Sequence, residues 1–348
     1  MTLLRYITLS FVAALAAQAA TVSYSPPVGG ARITFEPGTR FTGMPFLNPA
    51  VHQGTVSSNN GGAVTLSDAE ANIGAKLSSG TAYYLEIISG PDVTYIGDRF
   101  EVDVSATIAS ANNTITASSG STTNTMASLP ELAGYSLVVR PHVTLGQLFG
   151  TKTNELMHGS TILGSADQVV FFNPTNSSYA TYYYARNSSG SIAQWTLVGG
   201  GSTNRDNTPI PPGVGMIVHR KHTEPVTLTW AGEIRRNAFS QPLAAGLNLV
   251  AEAFPVASSP LNRGLTYANG VTGATILSQA DQVLVYNGAG YDTYYLARNS
   301  TGSIEQWVLV GGGSTNHNSS KVFSPTEARF IRKILADPDY YIPNWLNL

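Results

Sequence analysis

The chain has 348 residues, no cysteine, 11% charged residues and a formal net charge of −2. Without cysteine it has no disulfide, no thiolate metal site and no lipid anchor on a cysteine. Near-neutral charge with no basic stripe argues against nucleic acid and anionic lipid as partners. A hydrophobic content of 43% is enough to bury a core and excludes a disordered tail.

In chain order, residues 1–20 are predicted to be an export signal. Arg5 supplies the positive end, ITLSFVAALAA the apolar run, and Ala17, Ala19 and Ala20 the small residues of a cleavage site. That run is too short to span a bilayer, and no second long one follows. The expectation is an exported mature chain with no transmembrane segment, extracellular or at the cell surface, with the periplasm also open. Residues 21–127 alternate short β-type runs (ARITFEP, GAVTLS, TAYYLEII, DRFEVDVSA, NTITAS) with turns rich in Gly, Asn and Ser. This spacing predicts a small N-terminal β-barrel or sandwich. In TAYYLEIIS, alternation of Tyr83, Leu85 and Ile87 against Tyr84 and Glu86 predicts one buried face. SDAEANIGAKL is the one helical candidate here, with Ser67 as its cap. The low-complexity stretch around 117–125 reads as a linker or long loop.

The remainder is organised around a duplication. Residues 179–204 (YATYYYARNSSGSIAQWTLVGGGSTN) and 291–316 (YDTYYLARNSTGSIEQWVLVGGGSTN) are identical at 21 of 26 positions without a gap. Two tandem, homologous six-stranded β-domains follow from it, at 128–240 and 241–348, making the whole chain all-β. Within each, the duplicated stretch predicts a hairpin: Tyr182–Ala185 with Gln194–Val198 across RNSSGSI, and Tyr294–Ala297 with Gln306–Val310. TLGQLFG, at the start of the first repeat, predicts one helical turn. At 324–335 two signals compete. SPTEARFIRKIL has Ser324, Pro325 and Glu327 placed like a helix start. The repeat, however, aligns RFIRK with the β-run MIVHR, and a strand is predicted over Ala328–Lys333, with Phe330 and Arg332 on the face opposite Ile331.

Candidate chemistry is sparse. The glycine run LVGGGSTN follows a strand, as in phosphate loops, but leads into Asn-rich turn sequence rather than a helix. Gly146, Gly150, Lys152 and Thr153 lack P-loop spacing. His219 and His222 would point to opposite faces of a strand and cannot share a metal there. Asp167 and Asp281, in the two ADQV segments, sit where Asp shapes the entry to a strand. The sequence therefore assigns no catalytic, cofactor or metal residue. Tyr183, Trp195, Tyr295 and Trp307 remain as a ligand or interaction surface. Sugars stack on such aromatics, although aromatics also fill sheet cores, and adjacent tyrosines must face opposite ways.

NPAVHQGTVSS, RPHVTLGQLFG, the ADQV pair, W-x-LVGGGSTN, IPPGVGMIVHRK, GEIR, AGLNLVAEAFPV and ARFIRKI occur in order along nearly the whole mature chain. In this order they resemble an uncharacterised family of exported bacterial proteins that occur as paralogue sets in Verrucomicrobia-like genomes. The resemblance implies an exported β-rich protein and carries no activity with it. One departure is the ending PDYYIPNWLNL, where the first repeat has PVTLTWAGEIR. The expectation for function is a non-enzymatic structural or interaction protein, with no cofactor. Its candidate partner is itself, in a surface assembly, or an extracellular glycan if the protein is instead a carbohydrate-binding module.

Overall fold

A computed structural model describes residues 26–118, 131–338 and 340–346. The expected export signal and most of the expected linker lie outside the described residues. The protein is all-β, 43% strand against 7% helix, in several antiparallel sheets.

His52–Asn60, Ala63–Leu66, Tyr83–Ser89, Arg99–Glu101, Thr114–Thr116 and Ser136–Pro141 form one six-stranded sheet. It curls into a half-barrel, and its end strands approach where Val102 bridges Ala117. Alternate residues such as Val64, Leu85, Ile87, Ile115, Leu137 and Val139 fill its interior. Tyr84 and Glu86, expected on a wet face, are buried as well. The outside of this strand is covered by the rest of the chain, and Glu86 forms an ion pair with Arg235. In DRFEVDVSA, strand stops at Glu101. Asp103 then caps the helix Val104–Ala109, accepting the Ala106 N–H at 2.9 Å, a local bond that ended the β-run. Within SDAEANIGAKL only Ile73–Lys76 is helical, and its cap is Asn72 rather than Ser67.

Two five-stranded sheets follow, with the same strand order. The first runs Ala193–Leu197, Ser178–Arg186, Gln168–Asn173, Gly215–Arg220, Gly38–Gly43. The second runs Glu305–Leu309, Tyr291–Arg298, Gln282–Tyr286, Ala328–Lys333, Gly246–Ala251. The sequence predicted six strands in each. Ser136–Pro141, read as the start of the first repeat, instead joins the half-barrel, between Tyr83–Ser89 and His52–Asn60. Val226–Glu233 leaves its sheet and pairs with Val28–Phe35 in a ribbon that lays Phe35, Leu228 and Trp230 on the core below. The fifth strand of the first sheet, Gly38–Gly43, comes from far upstream, so the half-barrel lies in the chain between this strand and its four neighbours. Gly38 and Gly246 open the two corresponding strands, at φ 113° and 89°, where a side chain would be strained.

The correspondence extends to residues that do not match in type. Thr144 and Gln147 form a reciprocal capping box on the turn Leu145–Phe149, and Ser259 and Asn262 repeat it in the second half. The Trp230 indole N–H donates to the Leu148 carbonyl at 3.1 Å. In the divergent C-terminal segment the Tyr340 hydroxyl donates to Arg263 O at 2.6 Å. Beside it, Tyr341–Ile342 pairs with Phe239–Ser240 where the first half has its ribbon.

The two sheets meet face to face about a local two-fold axis. Thr42 bridges Glu327, and Val250 bridges Val214. The Gly43 N–H donates to Thr326 O at 3.3 Å, and the Ala251 N–H to Gly213 O at 2.9 Å. Phe41, Val170, Phe172 and Ile217 pack against Leu249, Ala328 and Phe330. Phe41 stacks on Tyr286 with ring centroids 4.8 Å apart. The conflict at 324–335 is settled by these contacts. Ala328–Lys333 is a strand between two partners, with Phe330 in the inter-sheet layer and Ile331 in the second core. The helix-start signal survives as a single turn, in which the Glu327 carboxylate accepts the Ser324 N–H at 3.2 Å. Satisfying two rows of backbone groups outweighs nucleating a short helix.

Where the sheets approach most closely, a Cβ on Gly43 would stand 2.0 Å from that of Ala251. Gly43→Ala is therefore expected to destabilise the protein by about 1–3 kcal/mol. Adding Ala251→Gly, which returns the methyl's space, is expected to recover most of the loss. Urea denaturation of the single and double variants checks this, and additive effects of the two changes would contradict it.

Candidate functional site

The duplicated stretch forms the two predicted hairpins. In the first, Tyr182 pairs with Leu197, Tyr183 with Thr196 and Tyr184 with Trp195. In the second, Tyr294 pairs with Leu309, Tyr295 with Val308 and Leu296 with Trp307. Each connecting turn is built by an asparagine. The Asn187 side chain accepts the Ile192 N–H at 3.1 Å and donates to Ser191 Oγ at 2.7 Å, and Asn299 does the same with Ile304 and Ser303.

Period-two alternation separates the four candidate residues. Trp195 and Trp307 are 0% and 1% exposed, and their indole N–H groups donate to Gly150 O and Leu265 O at 3.0 and 2.7 Å. They are core residues with no face open to a ligand, which corrects their place in the candidate surface. Tyr184 shares that core, and burial, aided by Glu155 and Asp206, pushes its phenol up to about 12. Tyr183 and Tyr295 lie on the opposite face and are half-buried.

The glycine run is a cover for the sheet edge. After Ala193–Leu197 the chain turns at Gly199 and Gly201, both at positive φ, and folds back. Asp206 Oδ1 then accepts the Trp195 N–H at 2.8 Å, the Arg205 N–H reaches Trp195 O at 2.8 Å, and Gln194 Nε2 donates to Ser202 O at 2.7 Å. Asn318, His317 and Gln306 repeat these bonds around Trp307. Backbone groups that would invite another strand are thus occupied within the chain.

The ADQV carboxylates serve the fold. Asp167 accepts the His158 and Lys221 N–H groups, each at 2.7 Å, and pairs with Arg220. Asp281 accepts the Thr272 and Ile334 N–H groups at 2.8 and 2.7 Å and meets Lys333 Nζ at 2.6 Å. Both are fully buried and tie the start of one strand to the end of its neighbour. His219 contacts Thr39 Oγ1 at 2.9 Å, whereas His222 packs at a tilt against His158 with ring centroids 4.6 Å apart, a pairing that no sequence spacing announces. Among the described residues no three His, Cys, Asp or Glu side chains are grouped to hold a metal ion.

Two hollows are prominent. One of about 400 Å³ lies where the half-barrel and both sheets meet, lined by Arg99, Phe172, Pro212, Gln241, Asn248 and Leu249 among others. Its polar groups have work within the fold: Gln241 bridges Gly213 O and Arg263, Asn248 donates to Ala244 O, and Arg99 donates to Ser240 O. Burial draws Arg99 down to about 10, and its guanidinium lies 4.0 Å from the Phe239 ring. The other hollow, about 570 Å³, is an open groove on the outer face of the first hairpin. Tyr183, Arg186, Gln194, Thr196, Leu163 and Val198 line it.

Around this outer face the two halves expose the same aliphatic residues. Ile162 and Ile276 are 65% and 54% exposed, Ile192 and Ile304 43% and 48%, Val198 and Val310 43% and 45%. Of the five differences between the hairpins, one, Thr196/Val308, lies on this face beside Tyr183/Tyr295, and it is buried in both copies. Tyr184/Leu296, Ala193/Glu305 and Thr196/Val308 are buried in the first copy, Ala180/Asp292 is half-buried, and only Ser189/Thr301 is exposed. Compared with known proteins, the chain matches no family model, no curated protein and no solved structure.

Asp281→Ala leaves the buried Lys333 ammonium with only Asp337 and the Gly270 carbonyl, and a loss of about 3–5 kcal/mol in urea denaturation is expected. A loss below about 1 kcal/mol would show that the pair is dispensable. His219 is held below 6.5 by burial and by Lys221, and His52 by burial and by Lys76, against the opposing pull of Asp68. Both prefer the neutral form when folded. Their stabilisation is thus present above pH 6.5 and is lost as pH falls from there through the lower folded values. His52→Gln with His219→Asn is expected to flatten the fall in melting temperature between about pH 7 and 5. An unchanged slope contradicts that assignment.

Proposed function

We propose that this is an exported, non-enzymatic interaction protein that presents one hairpin surface twice from a rigid β-scaffold, outside the inner membrane. The observation that carries this reading is the pattern of differences between the hairpins. Packing usually preserves buried residues and lets exposed ones drift. Here Tyr184, Ala193 and Thr196 have changed, while Ile192, Val198, Ser202, Thr203 and Asn204 have not. Turn geometry accounts for Asn187, Gly199 and Gly201. It does not account for exposed isoleucine and valine, which a contact surface does.

Two further points support the reading. Asp167, Asp281, Glu86, Glu233 and Glu252 are each paired with a buried or nearly buried arginine or lysine, and so are committed to the scaffold. The leader-like residues 1–20 and the resemblance to an exported bacterial family favour export and display at the cell surface.

A second reading, as a carbohydrate-binding module, is favoured by the groove at Tyr183. There an aromatic ring stands beside Arg186, Gln194 and Thr196, the mix of stacking and hydrogen-bonding groups that sugars use. A glycan array with the mature protein separates the readings. The interaction reading expects no reproducible glycan signal. A signal abolished by Tyr183→Ser with Tyr295→Ser, at an unchanged melting temperature, would select the carbohydrate reading.

A further inference from the structure

The face that carries Tyr183 is the same sheet face that already packs on the other half of the molecule. Val170 pairs with Thr181 and Phe172 lies opposite Tyr179, so Tyr179, Thr181 and Tyr183 continue the face bearing Phe41, Val170, Phe172 and Ile217. In the second sheet, Leu284 pairs with Thr293 and Tyr286 with Tyr291, and the face continues to Tyr295. Near the two-fold axis each face is covered by its counterpart. Farther out, over the hairpins, the cover is partial: Thr196 and Val308 are buried, Tyr183 and Tyr295 half-buried, and Val198 and Val310 exposed.

We infer that the uncovered part of each face is where a second copy of this chain docks, hairpin face on hairpin face. This rests on the interaction reading above and names its partner. Three observations select a second copy. First, the covered part of the face shows what it fits: corresponding residues of the two halves, Phe41 and Leu249, Val170 and Leu284, Ile217 and Phe330, lie in one shared layer, a contact between two copies of one surface. The proposed site is continuous with that interface. Second, the free edges beside Trp195 and Trp307 are closed by their own loops, so the face, rather than strand addition, is left to a partner. Third, a surface that must match itself has to remain the same in both copies. The exposed Ile192/Ile304 and Val198/Val310 are the same, at nearly equal exposure, and the one change on the face, Thr196/Val308, is buried in both copies. Because each chain carries two such faces on opposite sides of a local axis, pairing through them leaves a free face at each end and continues into an open series.

Sedimentation velocity of the mature protein over a range of concentrations tests this, with Val198→Asp, Val310→Asp and the double variant run beside it. The wild type is expected to grow continuously in weight-average mass beyond the dimer. Each single variant, with one face left, is expected to stop at the dimer, and the double variant to remain monomeric. Circular dichroism and melting temperature establish folding. If an aspartate variant unfolds, Ile192→Lys and Ile304→Lys at the turns give the same comparison. A wild type that stays monomeric, or a double variant that associates like the wild type, overturns the inference. A monomeric wild type with a glycan signal lost on Tyr183→Ser and Tyr295→Ser removes self-docking and replaces the interaction reading with the carbohydrate one. A monomeric wild type bound by no other protein, and without a glycan signal, removes self-docking and the interaction reading together.

Discussion

Everything in the larger part of this molecule depends on how closely two β-sheets can approach across the local axis. At Gly43 and Ala251 there is room for one methyl group, and the backbone of each sheet's outer strand bonds to the turn leading into the other's closing strand. That contact fixes Gly38–Gly43 as the fifth strand of a sheet whose other members begin at Gln168. It thereby sets where the half-barrel must leave and rejoin the chain. It also converts Ser324–Leu335, which starts with helix-capping residues, into turn and strand.

Buried charge then fixes the orientation of the parts. The chain has few ionisable groups, and many of them lie inside. Glu86 of the half-barrel meets Arg235, which follows the ribbon, and the Arg235 guanidinium lies 4.4 Å from the Phe239 ring. Burial draws Arg235 down to about 10, still charged at neutral pH. Arg140 of the half-barrel reaches Glu233 at the end of the ribbon. In the second half Glu252 accepts from Arg263 at 2.9 Å and from Arg329 at 2.5 Å. Such pairs add little net stability over apolar replacements, because desolvation cancels most of the attraction. Their effect is selective: an arrangement that separates one of them leaves a buried charge uncompensated.

The scaffold so held is well closed at its edges and open on two equal faces. Its glycine runs, which in another context would cradle phosphate, occupy the backbone of the outermost strands. Three of its four tryptophans, Trp195, Trp230 and Trp307, are spent on the cores. On the outer face of the hairpins, exposed aliphatic side chains and a half-buried tyrosine recur in both halves, and in the first half Arg186 and Gln194 stand beside them.

Much of this was legible in the sequence because two copies of one pattern constrain each other. The all-β class, the two hairpins, and the strand at Ala328–Lys333 follow from short-range alternation and alignment, both local properties. Alternation also established that Tyr183 and Tyr184 face opposite ways. It does not say which way is out, since both faces of these sheets carry core, and only the tertiary structure places Trp195 and Trp307 inside. The single bond from Asp103 that ends a β-run, and the matching capping pairs Thr144/Gln147 and Ser259/Asn262, lay below the contrast of the pattern. Pairing across long separations was decided only by the tertiary structure: Gly38–Gly43 with Gly215–Arg220, Ser136–Pro141 with the half-barrel, Val28–Phe35 with Val226–Glu233. An edge strand's backbone groups accept any extended partner. Which one arrives depends on side-chain volumes and buried charges brought together from distant parts of the chain, and no local stretch of sequence contains both sides of that contact.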